Sequence, residues 1–364
     1  MDCNLQNYID PYTYSDIKEI CSRELPWSRF KEQTVLITGA NGFIGSYLVF
    51  SLLHLNDTEQ LNIKVVGLVR SYEKAYQKFG SLLQREDFEL LIQDVCIPIP
   101  DSVKADYIIH AASQASAAFF ESDPVGTISA NSTGTINALE CARKSGAKSI
   151  LLISSLKVYG DLTNITAPLA EEKLGELNCL SYKNCYAQGK RTAETIGACY
   201  AKEYHLNVKI ARPSYIYGAS TLDDDRVWAQ FISNIVKHEN ILLKSSGAVL
   251  RSFCYVADTA AALFTILLNG ENVYPYNIAS KESNLTIRDF ARTAVLVFSE
   301  RGLKLSFANP EDEKEPSEEI LKKNMEVLED IRIHTLGWSA KVNIAEGIRR
   351  AVAILEYKGK KNEV

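Results

Sequence analysis

A tyrosine and a lysine four residues apart, Tyr186 and Lys190 in the run Cys185-Tyr186-Ala187-Gln188-Gly189-Lys190, stand one turn above each other on one face of a helix. That spacing brings an ammonium to a phenol. A free tyrosine titrates near ~10 and is a poor base at neutral pH, but a fixed cation beside it favours the phenolate, each tenfold change being worth about 1.36 kcal/mol. Tyr186 is therefore read as a proton acceptor. The pair alone is common on surface helices and gains meaning from Ser155, which follows the apolar run Ile150-Leu151-Leu152-Ile153. In doubly wound sheets ligands sit outside the carboxyl ends of the strands, which puts Ser155 where Tyr186 would be.

These side chains need a scaffold, and the preceding segments supply one. Val35-Leu36-Ile37-Thr38 reads as a buried strand running into Gly39-Ala40-Asn41-Gly42-Phe43-Ile44-Gly45, and a helix with Tyr47, Leu48, Leu52 and Leu53 as its apolar stripe follows. Glycines there let the backbone approach a pyrophosphate, whose charge meets the amides of the helix N-terminus. Ile63 to Arg70 is the second strand. An NAD-selective site carries an acid at its end, whereas this chain has Val69-Arg70-Ser71, and Arg70 suits a 2′-phosphate, favouring NADP over NAD. The third strand, Leu90 to Val95, ends near Asp94, placed to reach adenine. The fourth, Tyr107 to Ser113, ends in the small residues Ala111, Ala112 and Ser113, which let a cofactor lie close. His110, with no metal-spaced partner, is read as a structural histidine. Asp123-Pro124 starts a helix to Lys144.

Composition narrows the field. With 364 residues, 46% hydrophobic and 23% charged, the chain can bury a large core and exceeds one minimal domain. The expected architecture is α/β, a Rossmann-type doubly wound parallel sheet with a smaller α+β part. An arm over 1–30 precedes a dinucleotide-binding domain over 31–213, completed by about 250–280, while 214–249 and 281–364 form the sugar-binding part. A net charge of -5 leaves no footprint for nucleic acid or an anionic membrane. Eight cysteines without a Cys-x-x-Cys pair suggest neither a zinc site nor a disulfide framework, and no metal is expected. With no apolar run of ~18 residues and no signal core, a cytosolic protein is expected.

The glycine turn, Ser154-Ser155-Leu156-Lys157-Val158-Tyr159-Gly160, the Tyr186/Lys190 helix and Arg251-Ser252-Phe253-Cys254-Tyr255-Val256-Ala257-Asp258 together resemble the extended short-chain dehydrogenase/reductase superfamily. The resemblance, over about 32–355, is to its NAD(P)-dependent nucleotide-sugar epimerase/dehydratase branch. Cys185 to Glu194 and Leu222 to Val227 look most like UDP-glucuronate decarboxylases. It implies that Ser155 hydrogen-bonds the sugar 4-hydroxyl, Tyr186 removes its proton while C4 passes hydride to the nicotinamide, and Lys190 also bonds the nicotinamide ribose. Arg251 would pair with the sugar-nucleotide diphosphate, with Arg226 and Val227 also on the substrate. Ser154 and Pro213 would join the cofactor contacts. Helices over 124–144 and 180–203 correspond to those that dimerise in this family as a four-helix bundle.

Two departures bear on the reaction. Dehydratases of the family have Asp-Glu, and decarboxylases Ser-Glu, where this chain has Leu156-Lys157, so Lys157 is a candidate acid or base at C5 or C6, or a partner for a substrate carboxylate. Tyr215 replaces an asparagine that commonly contacts the substrate phosphate. Lys314 lies near where the decarboxylases carry an arginine for their substrate. C4 epimerisation, needing only Ser155, Tyr186 and Lys190 beside the cofactor, ranks first. Decarboxylation, 4,6-dehydration and NADPH-dependent reduction of a 4-keto sugar are the enzymatic alternatives, and a dinucleotide-binding sensor without turnover is the non-enzymatic one.

Overall fold

The strand ends that carry the chemistry belong to one parallel sheet. A computed structural model describes residues 4–161, 167–323 and 325–362. The first residues of the arm, Cys3 among them, and 324, 363 and 364 of the C-terminal region lie outside the described residues. In chain order the strands are β1 (Thr34–Thr38), β2 (Lys64–Val69), β3 (Phe88–Ile92), β4 (Tyr107–His110), β5 (Ser149–Ile153), β6 (Val208–Pro213) and β7 (Tyr215–Tyr217), then β8 (Ile241–Leu243), β9 (Leu250–Tyr255), β10 (Pro275–Ile278), β11 (Asn284–Thr286), β12 (Leu305–Phe307) and β13 (Met325–Glu326). Seven form a sheet in the order β10-β6-β5-β4-β1-β2-β3, every neighbouring pair parallel. Chain order reverses between β1 and β4, and that switch point opens the crevice where doubly wound sheets bind ligands.

Burial explains the strand composition. Helices cover both faces, so β4, β5 and β6 are buried throughout; Ile150 to Ile153 of β5 read as an apolar run without alternation, while β6 buries Lys209 and Arg212. The arm helix Pro11–Cys21 is tied down by a charge. Asp16 is fully buried and accepts from Tyr47 at 3.1 Å, Tyr255 at 2.8 Å and Arg350 at 2.9 Å. Trp27 packs edge-on against Phe264 with centroids 5.2 Å apart.

Two helices hold the Tyr186 region, and both differ slightly from expectation. Pro124–Ser145 opens under an Asp123 cap, and Cys185–Tyr204 begins five residues later than anticipated because Tyr182–Asn184 forms only a single 3₁₀ turn. They pack closely at Gly189, where an added Cβ would stand 2.9 Å from the Asn131 side chain.

The smaller sheet is built on β9. It pairs antiparallel with β11 and parallel with β7 and β13 along different stretches. β13 falls inside the charge-dense stretch 309–330, where Met325 and Glu326 add a short parallel strand to β9. Its register sets Glu326 opposite Arg251, while β7 sets Tyr215 opposite Phe253. Arg251 and Phe253 share a face of β9, so three polar side chains from remote segments meet.

Candidate active site

Two cavities meet at the switch point. One of about 560 Å³ takes in Asn41, Arg70, Asp94, Val95 and Ala112; the other, about 490 Å³, takes in Phe43, Ile44, Gly45, Ser154, Ser155 and Pro213. Gly39, Gly42, Ala111 and Ser113 line both, so the glycine turn is the wall between them. Lys157, Tyr186, Lys190, Tyr215, Arg226, Val227 and Arg251 complete the second cavity.

The turn fits a pyrophosphate on local grounds. Gly39 has φ +69°, and an added Cβ would lie 2.9 Å from the Ala112 backbone. One on Gly45 would press into the Gly39 carbonyl. Helix Phe43–Glu59 starts at Gly42 with no side-chain cap, leaving its first amides for an anion. Deeper in, Ser214 lines the cavity and its buried hydroxyl has no partner in the protein. An elongated, diphosphate-containing ligand matches this set of donors.

The structure sets Lys190 against the Tyr186 ring, as the helical spacing of the pair suggested. Lys190 is buried at 4% exposure and donates to the Ile153 carbonyl at 2.7 Å, with Nζ 5.7 Å from the Tyr186 ring centre. Burial pushes its ammonium down to about 7, against the pull of Glu194. Burial likewise raises the Tyr186 phenol, and the opposing influences are the Ser155 hydroxyl and the Arg226 charge. Ser155 also accepts from the Lys157 amide at 3.2 Å, which fixes the turn after β5. Below it Ser154 donates to Glu194 at 2.5 Å, and Arg212 grips the same carboxylate.

Several residues here carried no sequence signal. Phe120 stacks on Tyr186 with centroids 5.0 Å apart, and Trp228 stacks on Phe43 at 6.0 Å. Arg226 lies over Trp228 at 4.6 Å and is paired with Asp224. Glu326 accepts from Arg251 Nε at 2.9 Å and from the Tyr215 hydroxyl. At the adenosine end Ser71 and Lys74 join Arg70. Lys314 is 75% exposed and bonded to Glu311, away from both cavities. His110 is neutral, its pKa lowered to about 3 by burial and by Lys190. It joins Thr38 at 2.9 Å, across the β1–β4 boundary. No helix is long and apolar enough to cross a membrane, and no His/Cys/Asp/Glu group suits a metal, among the described residues.

Residues 35–279 match the model of the NAD dependent epimerase/dehydratase family. The chain belongs to that family. Among its relatives, UDP-glucuronic acid decarboxylases 6 and 3 of Arabidopsis thaliana are each 32% identical over 316 residues, covering 86% of this chain and 86% of theirs. The family fold is also that of solved structures. UDP-glucuronic acid 4-epimerase from Bacillus cereus, in complex with UDP-glucuronic acid and NAD, superposes with TM-score 0.73 at 20% identity, over 89% of this chain and 99% of that one. UDP-N-acetylglucosamine 4-epimerase from Methanobrevibacter ruminantium M1 gives 0.75 at 20% identity, over 91% and 99%. The chain is thus a nucleotide-sugar-modifying, NAD-dependent family member with an α/β fold.

Proposed function

We propose that this protein oxidises C4 of a nucleoside-diphosphate sugar and, after the 4-keto sugar turns over in the site, returns hydrogen to its other face, giving the C4 epimer. The observation that carries the reading is the meeting of Ser155, Tyr186 and Lys190 in a cavity continuous with the glycine turn and lined by no carboxylate among the described residues. Epimerisation needs no further acid. A bound nicotinamide supplies the hydride acceptor, held by Gly39, Gly42 and Gly45 at the diphosphate and by Lys190 and Pro213 further in. Tyr186 takes the 4-hydroxyl proton while Ser155 bonds the same oxygen. Phe120 and Trp228 exclude water. Arg251 and Arg226 face the substrate diphosphate.

NADP is favoured over NAD because Arg70 and Lys74 put two cations at the end of β2. A homodimer through helices Pro124–Ser145 and Cys185–Tyr204, in a cytosolic setting, completes the proposal. It is supported by exposed Val125, Ile128 and Ile136 on the first helix. The decarboxylase relatives favour a second reading, in which Lys157 binds a substrate carboxylate.

The test is to incubate the protein with UDP-, CDP-, GDP- and dTDP-sugars, with and without NADPH. A C4 epimer without net NADPH consumption is expected. Stoichiometric NADPH consumption contradicts the epimerase and points to a reductase, and released CO2 points to a decarboxylase. Tyr186→Phe should abolish the cellular role; its survival would identify a non-catalytic sensor.

A further inference from the structure

We propose that the cleft between the N-terminal arm and the C-terminal helix is a second ligand site, separate from the crevice at the switch point, and that it takes a small phosphate monoester. The site does not depend on the C4 reading.

Four segments meet in the cleft. The arm contributes Tyr8 to Thr13, helix Phe43–Glu59 its Phe43, Tyr47 and Phe50, helix Tyr72–Phe79 its Lys78, and the C-terminal helix Ile344–Asn362 its Tyr357 and Lys358. The volume is about 330 Å³, at the small end of the roughly 300–1,000 Å³ usual for ligand pockets, so a compact molecule fits and a dinucleotide does not. Among the described lining residues Phe43 is shared with the sugar cavity and none with the cavity at Arg70, so one aromatic ring divides this cleft from the active site.

The walls are tied together without a ligand. Arg350 of the C-terminal helix donates to Asp16 at 2.9 Å and to Glu19 at 2.5 Å on the arm helix, and the Leu5 amide donates to Asp57 of helix Phe43–Glu59 at 2.8 Å. Binding therefore has little backbone left to order.

Charge selects the ligand class. Lys78 and Lys358 enter the cleft from different helices, both open to solvent, and Lys78 has no hydrogen bond or ion pair among the described residues. The nearby carboxylate is Asp10, 3.9 Å from Lys358 Nζ. Asp10 is already engaged: it caps the arm helix Pro11–Cys21, accepting from the Thr13 amide at 2.7 Å and the Thr13 hydroxyl at 2.6 Å, at the positive end of that helix. Two ammonium groups thus share one cleft without a full counter-charge, and like charges repel until an anion joins them. Loss of water lowers the Lys78 ammonium to about 8, with the Lys358 charge adding to the effect and Asp10 opposing it, so Lys78 is still charged at neutral pH. A phosphate monoester carries about -1.5 to -2 at that pH and three acceptor oxygens, which matches two ammonium groups where a single carboxylate does not. The body of the ester lies on the rings of Tyr8, Phe50 and Tyr357, surface that inorganic phosphate leaves uncovered.

The experiment titrates the full chain with ribose 5-phosphate by calorimetry, with NAD and UDP present at saturating concentration. One site per chain is expected, with affinity lowered at least tenfold in Lys78→Gln and in Lys358→Gln and no binding detected in the double variant. Both lysines are exposed, so Tm and NAD affinity should stay as in the native chain. Amide hydrogen exchange should slow at Tyr8 to Thr13 when ribose 5-phosphate is added to the chain holding NAD and UDP. No binding beside NAD and UDP, binding undiminished in the double variant, or inorganic phosphate bound as tightly as the ester overturns the proposal.

Discussion

The two halves of the crevice are assembled differently. The dinucleotide half is made of consecutive residues, Gly39 to Gly45, plus single turns after β2, β3 and β4. The sugar half draws Lys157, Tyr215, Arg251 and Glu326 from segments up to 169 residues apart and aligns them by the register of β7, β9 and β13. A local turn is specified by its own backbone, so it tolerates change elsewhere and fails when its own residues change. A wall set by strand register depends on every strand that contributes to it.

Substitutions should separate the halves, beginning with the group shared by both. Tyr186→Phe should cost on the order of 10³-fold in kcat with dinucleotide affinity retained, as loss of a general base does; rapid-quench assays and calorimetry check this. Gly39→Ala should weaken dinucleotide binding by roughly 100-fold, because a side chain at φ +69° meets the Ala112 backbone. Retained binding there would contradict the assignment of the turn. Glu326→Gln should raise the KM for the sugar nucleotide roughly tenfold while dinucleotide affinity stays as it was, since it frees Arg251 and breaks the wall alone. Arg70→Ala should narrow any NADP-over-NAD preference by about tenfold, the scale of one lost charge-assisted contact.

The smallest effect concerns stability. Lys190 titrates near 7 when folded and near 10.5 when unfolded, so below pH 7 the buried ammonium is a cost and above 7 that cost fades. Stability therefore rises as pH climbs from 7 toward 10.5. Lys190→Met should raise Tm by a few degrees at pH 6 and by less at pH 9. Calorimetric scans at the two pH values measure it, and an equal change at both would contradict the buried charge.

Legibility in the sequence followed the same division. The glycine turn, the strand-end Ser155 and the Tyr186/Lys190 helix each announce themselves within a few residues, because the backbone conformation they need is local. Glu326 does not. Its strand is two residues long inside a charged stretch, and its role appears only when β9 supplies the partner. Lys314, which the resemblance singled out nearby in sequence, lies at the surface. Lys190 was legible as a residue but not as an environment. Its burial, with Nζ on the Ile153 carbonyl, lowers the ammonium to about 7.

The central claim is that hydrogen leaves C4 of a sugar bound against Tyr186. Nucleotide sugars carrying deuterium at C4 test it directly, with mass spectrometry of the dinucleotide recovered after a single turnover. The account predicts one deuterium in the dinucleotide with the native chain and none with Tyr186→Phe. Product formed while the dinucleotide stays unlabelled would contradict it.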